Sequence, residues 1–488
     1  MIKLLIEKEL KNILLSPKFA ATFLVCSILI LTSVYIGVQE YHTAVAQYEA
    51  NQQIATQDIA QATNWGSVRN QVHRKPNPMQ VFVSGLHFDV GRVSRISGFQ
   101  DVKLTRSPYS DETLFALFRF IDLTFIVQVV LSLFAILFTY DAINGERENG
   151  TLKLAFANSV SRASYLISKF AGVWIGLIIP LLILILIALL ITTLMGVPIS
   201  GGDWVSISSF IGLSVLYVTF FIGIGLLVST ITRKSSLSFL LLLVIWIGGV
   251  LILPRMSVMA SGQLVEVESI AQIEAKQEAY QKARWDEYSS TISETWRKRS
   301  QEMEGMDDAE RQAYRDEKEW DWLEEDDAAR KQVQQDITEN NRRLIEETSN
   351  QKKLQERVAF SLARISPASS FRLAAMNIAG TDIDMKSRYE DSMREYRDKF
   401  TDFTQKKQSE SGSRGGFSIN VDSESGVKID FGRDDQTLDT SEMPQYSAPV
   451  LSTSNALSKS ILDFGLLGIF IILTFGGAFI SFLRYDMR

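Results

Sequence analysis

The chain has 488 residues, 46% of them hydrophobic, with 50 basic and 56 acidic side chains and a formal charge of −6 at neutral pH. The apolar residues are gathered into long blocks at both ends around a charged middle, which excludes a soluble globular chain and points to a polytopic membrane protein. The single cysteine, Cys26, excludes an intrachain disulfide, so the large polar segments must hold together by packing alone.

The first residues, "MIKLLIEKELKNILLSPK", place Ile2, Ile6, Leu10, Ile13 and Leu14 on one helical face with lysines elsewhere, the pattern of a helix lying in the headgroup layer. Ser16 offers an N-cap and Pro17 a first-turn proline, so the chain either restarts here as a new helix or runs on as one long bent helix. Six apolar stretches then reach the roughly 20 residues needed to cross a bilayer. They run from about Phe19 to Val38, Asp122 to Tyr140, Ala171 to Met195, Val205 to Ile231, Leu237 to Leu253 and Ile461 to Leu483. The first has too long an apolar core for a cleaved signal peptide, and no small-residue cleavage site follows it, so it is expected to be retained.

Between spans one and two, "EYHTAVAQYEANQQIATQDIAQATN" has helical propensity, and "NPMQVFVSGLHFDVGRVSRISGF" has short β-like runs broken by Gly85, Gly91 and Gly98. The chain's three histidines, His42, His73 and His87, all fall in this segment; their irregular spacing and the lack of cysteine partners favour surface or packing roles over a metal site. From about Val265 to Ala363, Gly and Pro nearly vanish and Ile270, Ile273, Tyr280, Trp285, Tyr288, Ile292 and Trp296 recur at helical spacing. Gly305 interrupts the pattern and Asp307 with Glu310 restarts it as a capping box, predicting a long helical hairpin projecting from the membrane. Its acidic run "EKEWDWLEEDD" reads as a solvated helix face, with a cationic partner as the alternative. "ISPASSFRLAAMNIAGTD" predicts a helix capped by Ser366 and Pro367 and ended at Gly380, resting on the membrane surface or against the spans. A polar helix over about Asp384 to Lys407 follows, then a flexible tip "SESGSRGG" and a β-hairpin in "FSINVDSESGVKIDF" around Ser425-Gly426.

The expected fold is therefore mainly α: six transmembrane helices and a large, mostly helical extracytoplasmic insertion carrying a small β-hairpin. Residues 1–39 make the interfacial helix and first span, 40–120 the first extracytoplasmic segment, and 121–260 spans two to five with a loop at 141–169. Residues 261–458 make the extracytoplasmic helical domain, and 459–488 the last span and tail. Lys3, Lys8, Lys11 and Lys18 at the N-terminus, Arg147, Lys153, Arg162 and Lys169 after span two, and the basic "TRKSS" and "RYDMR" put both termini and that loop in the cytoplasm.

No catalytic constellation is present: there is no G-x-x-x-x-G-K-[ST] phosphate loop, H-E-x-x-H, C-x-x-C or G-x-S-x-G. The chain is expected not to be an enzyme. Charge is also scarce within the spans. Asp122, Asp141, Arg255 and Asp463 stand near ends and only Gln128 is polar at depth, which argues against ion-coupled carriers that hold ionisable groups at the midplane.

The loop "NGERENGTLKLAFANSVSRASYLISKF" is the exception, packing Glu146, Arg147 and Glu148 between Gly145 and Gly150 ahead of an amphipathic stretch. "ERENGTLKL" followed by "SVSRASYLISK" resembles the E-R-E-x-G-T-L-x-L, P-V-S-R and G-K pattern of the type 2 ABC transporter permeases, in the branch of copper-enzyme maturation and gliding motility permeases with a large extracytoplasmic insertion. Ala157-Asn158-Ser159 replaces the usual proline-bearing approach, and Ser168 the glycine before Lys169.

The resemblance implies the permease subunit of a bacterial ABC transporter in the inner membrane. It would be energised by a cognate ABC ATPase that holds the ATP and Mg, with no cofactor in this chain. The loop would be the coupling helix, with Glu146, Arg147, Glu148, Gly150, Thr151 and Leu152 at or beside the ATPase contact; a plain positive-inside anchor is the alternative. The other expected partners are a second permease copy or paralogue, membrane lipid and a periplasmic protein or lipoprotein, with no nucleic acid. Two outputs stay open: export of a substrate, or a non-transporting scaffold that passes motion to a periplasmic partner through the helical ectodomain.

Overall fold

The computed structural model describes residues 2–62, 65, 68–96, 102–111, 121–157, 160–410, 418–422, 426–430, 438 and 440–484. The protein is mainly helical, and among the described residues six helices are long and apolar enough to cross a membrane: Pro17–Ala60, Leu123–Glu148, Arg162–Leu194, Gly201–Ile231, Ser235–Leu264 and Thr453–Leu483. They coincide with the six expected spans and overrun them, because helix ends are set by caps and not by where hydropathy falls. Ser16 caps span one by accepting from the Phe19 amide at 3.1 Å, Ser161 caps span three by accepting from the Ser164 amide at 3.1 Å, and Ser200 forms a capping box with Asp203 ahead of span four.

The break at Ser16 separates the N-terminal helix Ile2–Leu14 from span one. Span one then runs unbroken to Ala60, so the helix expected after residue 40 is its continuation. Spans two and five each contain a π-helical turn, Ile126–Leu131 and Ile247–Ile252. The first lies where the Tyr217 hydroxyl donates to the Gln128 carbonyl at 2.9 Å, and the second is met by the Ser366 hydroxyl on the Gly249 carbonyl at 2.5 Å. Irregular turns of this kind survive in an apolar setting only where neighbouring groups take up the released carbonyls.

Spans four and six pack along one another, and span four also packs on span two. Small residues permit the close approach: a Cβ at Gly223 would come within 2.7 Å of the Thr474 hydroxyl, and one at Gly225 would overlap Thr139. The helix Pro367–Ala379 begins at the Ser366 cap and ends at Gly380 in the left-handed conformation, φ 69°. It is buried against spans four and six, with Phe371 stacked on Tyr217 at 4.6 Å.

The chain forms two compact units, Met1–Ile252 with Ser366–Arg488, and Leu253–Ile365. The expected 261–458 segment is bounded by membrane topology; compactness divides the chain elsewhere. In the first unit, the polar helix Asp384–Glu410 shares a hydrophobic cluster with the segment between spans one and two. Met385, Met393, Tyr396 and Phe400 pack with Val72, Val90, Ile96 and Val102. Strands Asn70–His73 and Val93–Ile96 pair antiparallel there, Asn70 opposite Ile96 and His73 opposite Val93. A second antiparallel pair, Ser418–Asp422 with Gly426–Asp430, forms the expected hairpin; Ser425, most of the tip "SESGSRGG" and Gly98 lie outside the described residues.

The second unit is the expected helical hairpin. Helices Ile270–Glu302 and Asp308–Ala363 are joined at Gly305, φ 96°, and each opens with a capping box, Ser269 with Gln272 and Asp307 with Glu310. Arg299, buried, lies 5.3 Å from the Trp296 ring and 5.1 Å from the Trp322 ring and donates to Glu325 at 3.0 Å. Arg284 pairs with Asp336 further along, so the arms are antiparallel and pinned by ions as well as by Val333 and Ile337. Within the acidic run, Trp320 is exposed while Trp322 faces Arg299.

Candidate functional site: the loop between spans two and three

Two short helices, Asn144–Glu148 and Thr151–Ala157, make the loop, hinged at Gly150 with φ 75°. That left-handed turn suits glycine, and it lets the second helix start afresh while the Thr151 hydroxyl donates to the Glu146 carbonyl at 3.1 Å.

The acidic residues of the loop face different neighbours. The Glu146 carboxylate accepts from Lys169 Nζ at 2.7 Å and from the Tyr165 hydroxyl at 2.5 Å, both on span three, and Lys8 of the N-terminal helix stands 3.8 Å away. Lys169 also donates to Glu9 Oε2 at 2.6 Å, so a buried lysine is shared by two carboxylates from distant parts of the chain. Such a network is favourable only as a whole, because each ion has lost its water and needs its partner. Glu148, exposed, accepts from the Ser235 amide at 3.0 Å and hydroxyl at 2.7 Å. It thereby caps span five, whose own N-cap residue Lys234 supplies no side-chain bond.

Between these tethers, Asn144 is buried and donates to the Thr232 hydroxyl at 3.0 Å, while Ser229 accepts from the Ile143 and Asn144 amides at 3.1 and 3.3 Å. Leu152 is buried in the main core. Phe156 packs on Tyr165 at 5.3 Å, and Tyr165 stacks on Phe482 of span six at 5.5 Å. The loop is thus bound to the N-terminal helix and to spans three, four, five and six.

The N-terminal helix is itself docked on span three. A Cβ at Gly172 would lie 2.7 Å from the Glu9 Cβ, and one at Gly176 would lie 3.3 Å from Ile13, so this glycine pair opens the groove in which the helix rests. Of the expected apolar stripe, Leu10 and Ile13 meet these glycines with Glu9 beside them, while Ile2 and Leu14 are exposed.

Of the six residues that the sequence singles out, Glu146 and Leu152 turn inward, Arg147 is half-buried, and Glu148, Gly150 and Thr151 are exposed. Exposed beside them are Lys153 and Leu154, the latter 66% accessible. Asn158 and Ser159 lie outside the described residues, while Ser168 sits within the regular helix of span three, donating to the Tyr165 carbonyl at 2.7 Å. Sequence reasoning missed Glu9, Asn144, Tyr165, Ser229 and Ser235 as partners of the loop. Glu9 carried a signal: it falls three residues after Ile6 and four before Ile13, an acid on an otherwise apolar face.

Among the described residues no group of three or more His, Cys, Asp or Glu is placed to hold a metal ion. His42 contacts the Met195 carbonyl at 2.9 Å and His87 is buried against Phe88.

No curated protein matches the chain with significance. A family model described as ABC-2 family transporter protein matches residues 4–487, nearly the full length. With six apolar helices and a loop clamped between them, the chain belongs to the ABC-2 family of transporter proteins: it is a multi-pass membrane permease subunit, and its family implies a partner ABC ATPase.

Proposed function

We propose that residues 144–157 dock the partner ATPase on the cytoplasmic side of a bacterial inner membrane, with both termini on that side. The observation that carries this reading is the separation of the loop's two faces. Asn144, Glu146 and Leu152 point into the protein, and Glu148 is tied to Ser235, while Lys153 and Leu154 remain at the surface. A loop bound this tightly moves as a rigid body, so a push on its outer face would reach several helices together. Lys169 would carry it to span three and the N-terminal helix, and Glu148 to the start of span five. ATP and Mg would be held by the ATPase, and a second permease copy or paralogue would complete the transporter.

For the output, the hairpin favours transmission of motion to a periplasmic protein or lipoprotein over simple export. Its longer arm has 56 residues, about 84 Å of helix, and a bare pore needs no such lever.

The test separates docking from coupling. Leu154→Glu should abolish co-purification with the ATPase. Glu148→Gln should leave the ATPase bound but lower the ATPase activity of the complex in nanodiscs. Full co-purification and full activity in both variants would refute the assignment.

A further inference from the structure

The segment between spans one and two holds a polar cavity of about 200 Å³ that the transport reading does not use. Three arginines converge on it from adjacent stretches of backbone. The Arg74 amide donates to the Arg92 carbonyl at 2.8 Å, and the Arg92 amide donates to the Thr105 and Arg106 carbonyls at 2.9 and 3.1 Å. The backbone ladder therefore sets the three arginines side by side. Among the described residues no Asp or Glu lines the cavity; the remaining polar lining is amide, phenol and imidazole, including Gln47, His73 and His87.

Arg74 makes the case specific. It is 6% exposed, and its guanidinium donates to the His87 carbonyl at 2.6 Å and to Met385 Sδ at 3.2 Å, both neutral acceptors. It makes no ion pair with any described residue. Burial pulls its pKa down to about 10, yet it stays cationic at neutral pH. A buried guanidinium with five donors and no carboxylate partner is costly. At the mouth, exposed Arg106 adopts φ 56°, the one non-glycine residue with positive φ among those described, and local strain of this kind gathers at binding sites.

We propose that this cavity binds an oxyanion, a phosphate or carboxylate group, clamped by Arg74, Arg92 and Arg106. Guanidinium forks match both groups in two-point geometry. Gln47, which accepts from Arg92 at 2.6 Å, positions that fork. The anion can belong to a soluble molecule or to a lipid headgroup.

The test uses the full-length protein in phosphatidylcholine nanodiscs. One arm titrates pyrophosphate and citrate by calorimetry; the other measures retention of phosphatidic acid by native mass spectrometry after detergent release. Arg106→Gly removes a guanidinium while suiting the left-handed backbone, so the fold is kept, and Arg92→Gln serves as a second variant. Saturable binding of a probe, weakened about tenfold or more by either variant, supports the site. The arm in which it occurs identifies the soluble or lipid source. Absence of saturable binding in both arms, or binding that neither variant changes, overturns it.

Discussion

Lys169 and Glu146 meet at 2.7 Å, and the same ammonium reaches Glu9 at 2.6 Å, so one buried cation joins the loop, span three and the N-terminal helix. The pairing converts a stretch that reads as an exposed charged loop into part of the packed protein. Its consequences can be measured.

Lys169→Met should destabilise the protein by about 3–5 kcal/mol, because it strands two carboxylates in a buried site. The triple variant Glu9→Gln, Lys169→Met, Glu146→Gln should recover much of that loss, since no buried charge is then left without its partner, and Lys8, the remaining ion, is exposed. Thermal midpoints of the purified proteins in one detergent check both, and equal midpoints for the single and triple variants would contradict the network.

Gly172→Ala should loosen the N-terminal helix. The added methyl meets the Glu9 Cβ at 2.7 Å, and relief requires the helix to shift, at about 1–3 kcal/mol. Gly176→Ala should cost less, because Ile13 stands further off at 3.3 Å and is a side chain that can turn. Faster proteolysis near residues 8–18 in the first variant than in the second is the expected readout.

Arg299→Ala should weaken the hairpin by about 2–3 kcal/mol, through loss of two aromatic faces and exposure of Glu325 and Asp326 to each other. Limited proteolysis of the full-length protein should then cut within 270–363 at lower protease concentration. An unchanged cleavage profile would count against the pinned seam.

Stability should fall as the pH drops below about 6.5. Burial, then the nearby Arg74 and Arg92, hold the His87 pKa well below its ordinary value, and burial with Arg106 lowers that of His73. The unfolded chain takes up these protons near 6.5 while the folded protein does not, so the folded state is favoured above that pH and loses ground below it. For His87 the slope is at most about 1.4 kcal/mol per pH unit. Replacing His87 with Gln should flatten the profile of thermal midpoint against pH between 7 and 5.

The spans, the breaks at Ser16 and Gly305, the caps at Ser366 and Asp307 and the hairpin at 418–430 were legible because each depends on residues within a few positions of one another. Hydropathy reports the cost of placing a segment in lipid, and a cap reports which nearby oxygen meets an orphan amide. Likewise the "ERENGTLKL" stretch was visible as an unusual loop from its own wording.

What only the tertiary structure decided is which groups that loop serves. Glu146 could have faced outward with Glu148; it turns inward because Lys169, 23 residues on, and Glu9, 160 residues before that lysine, share one buried point. The same holds for the helix Asp384–Glu410, whose Met393 and Phe400 complete a core begun at Val72 and Ile96, and for the three arginines that the strands bring to one cavity. Local sequence sets how each segment meets water, lipid and its own backbone. Partners far apart along the chain are chosen by packing and by the need of a desolvated charge for a counter-charge, and a linear reading carries neither.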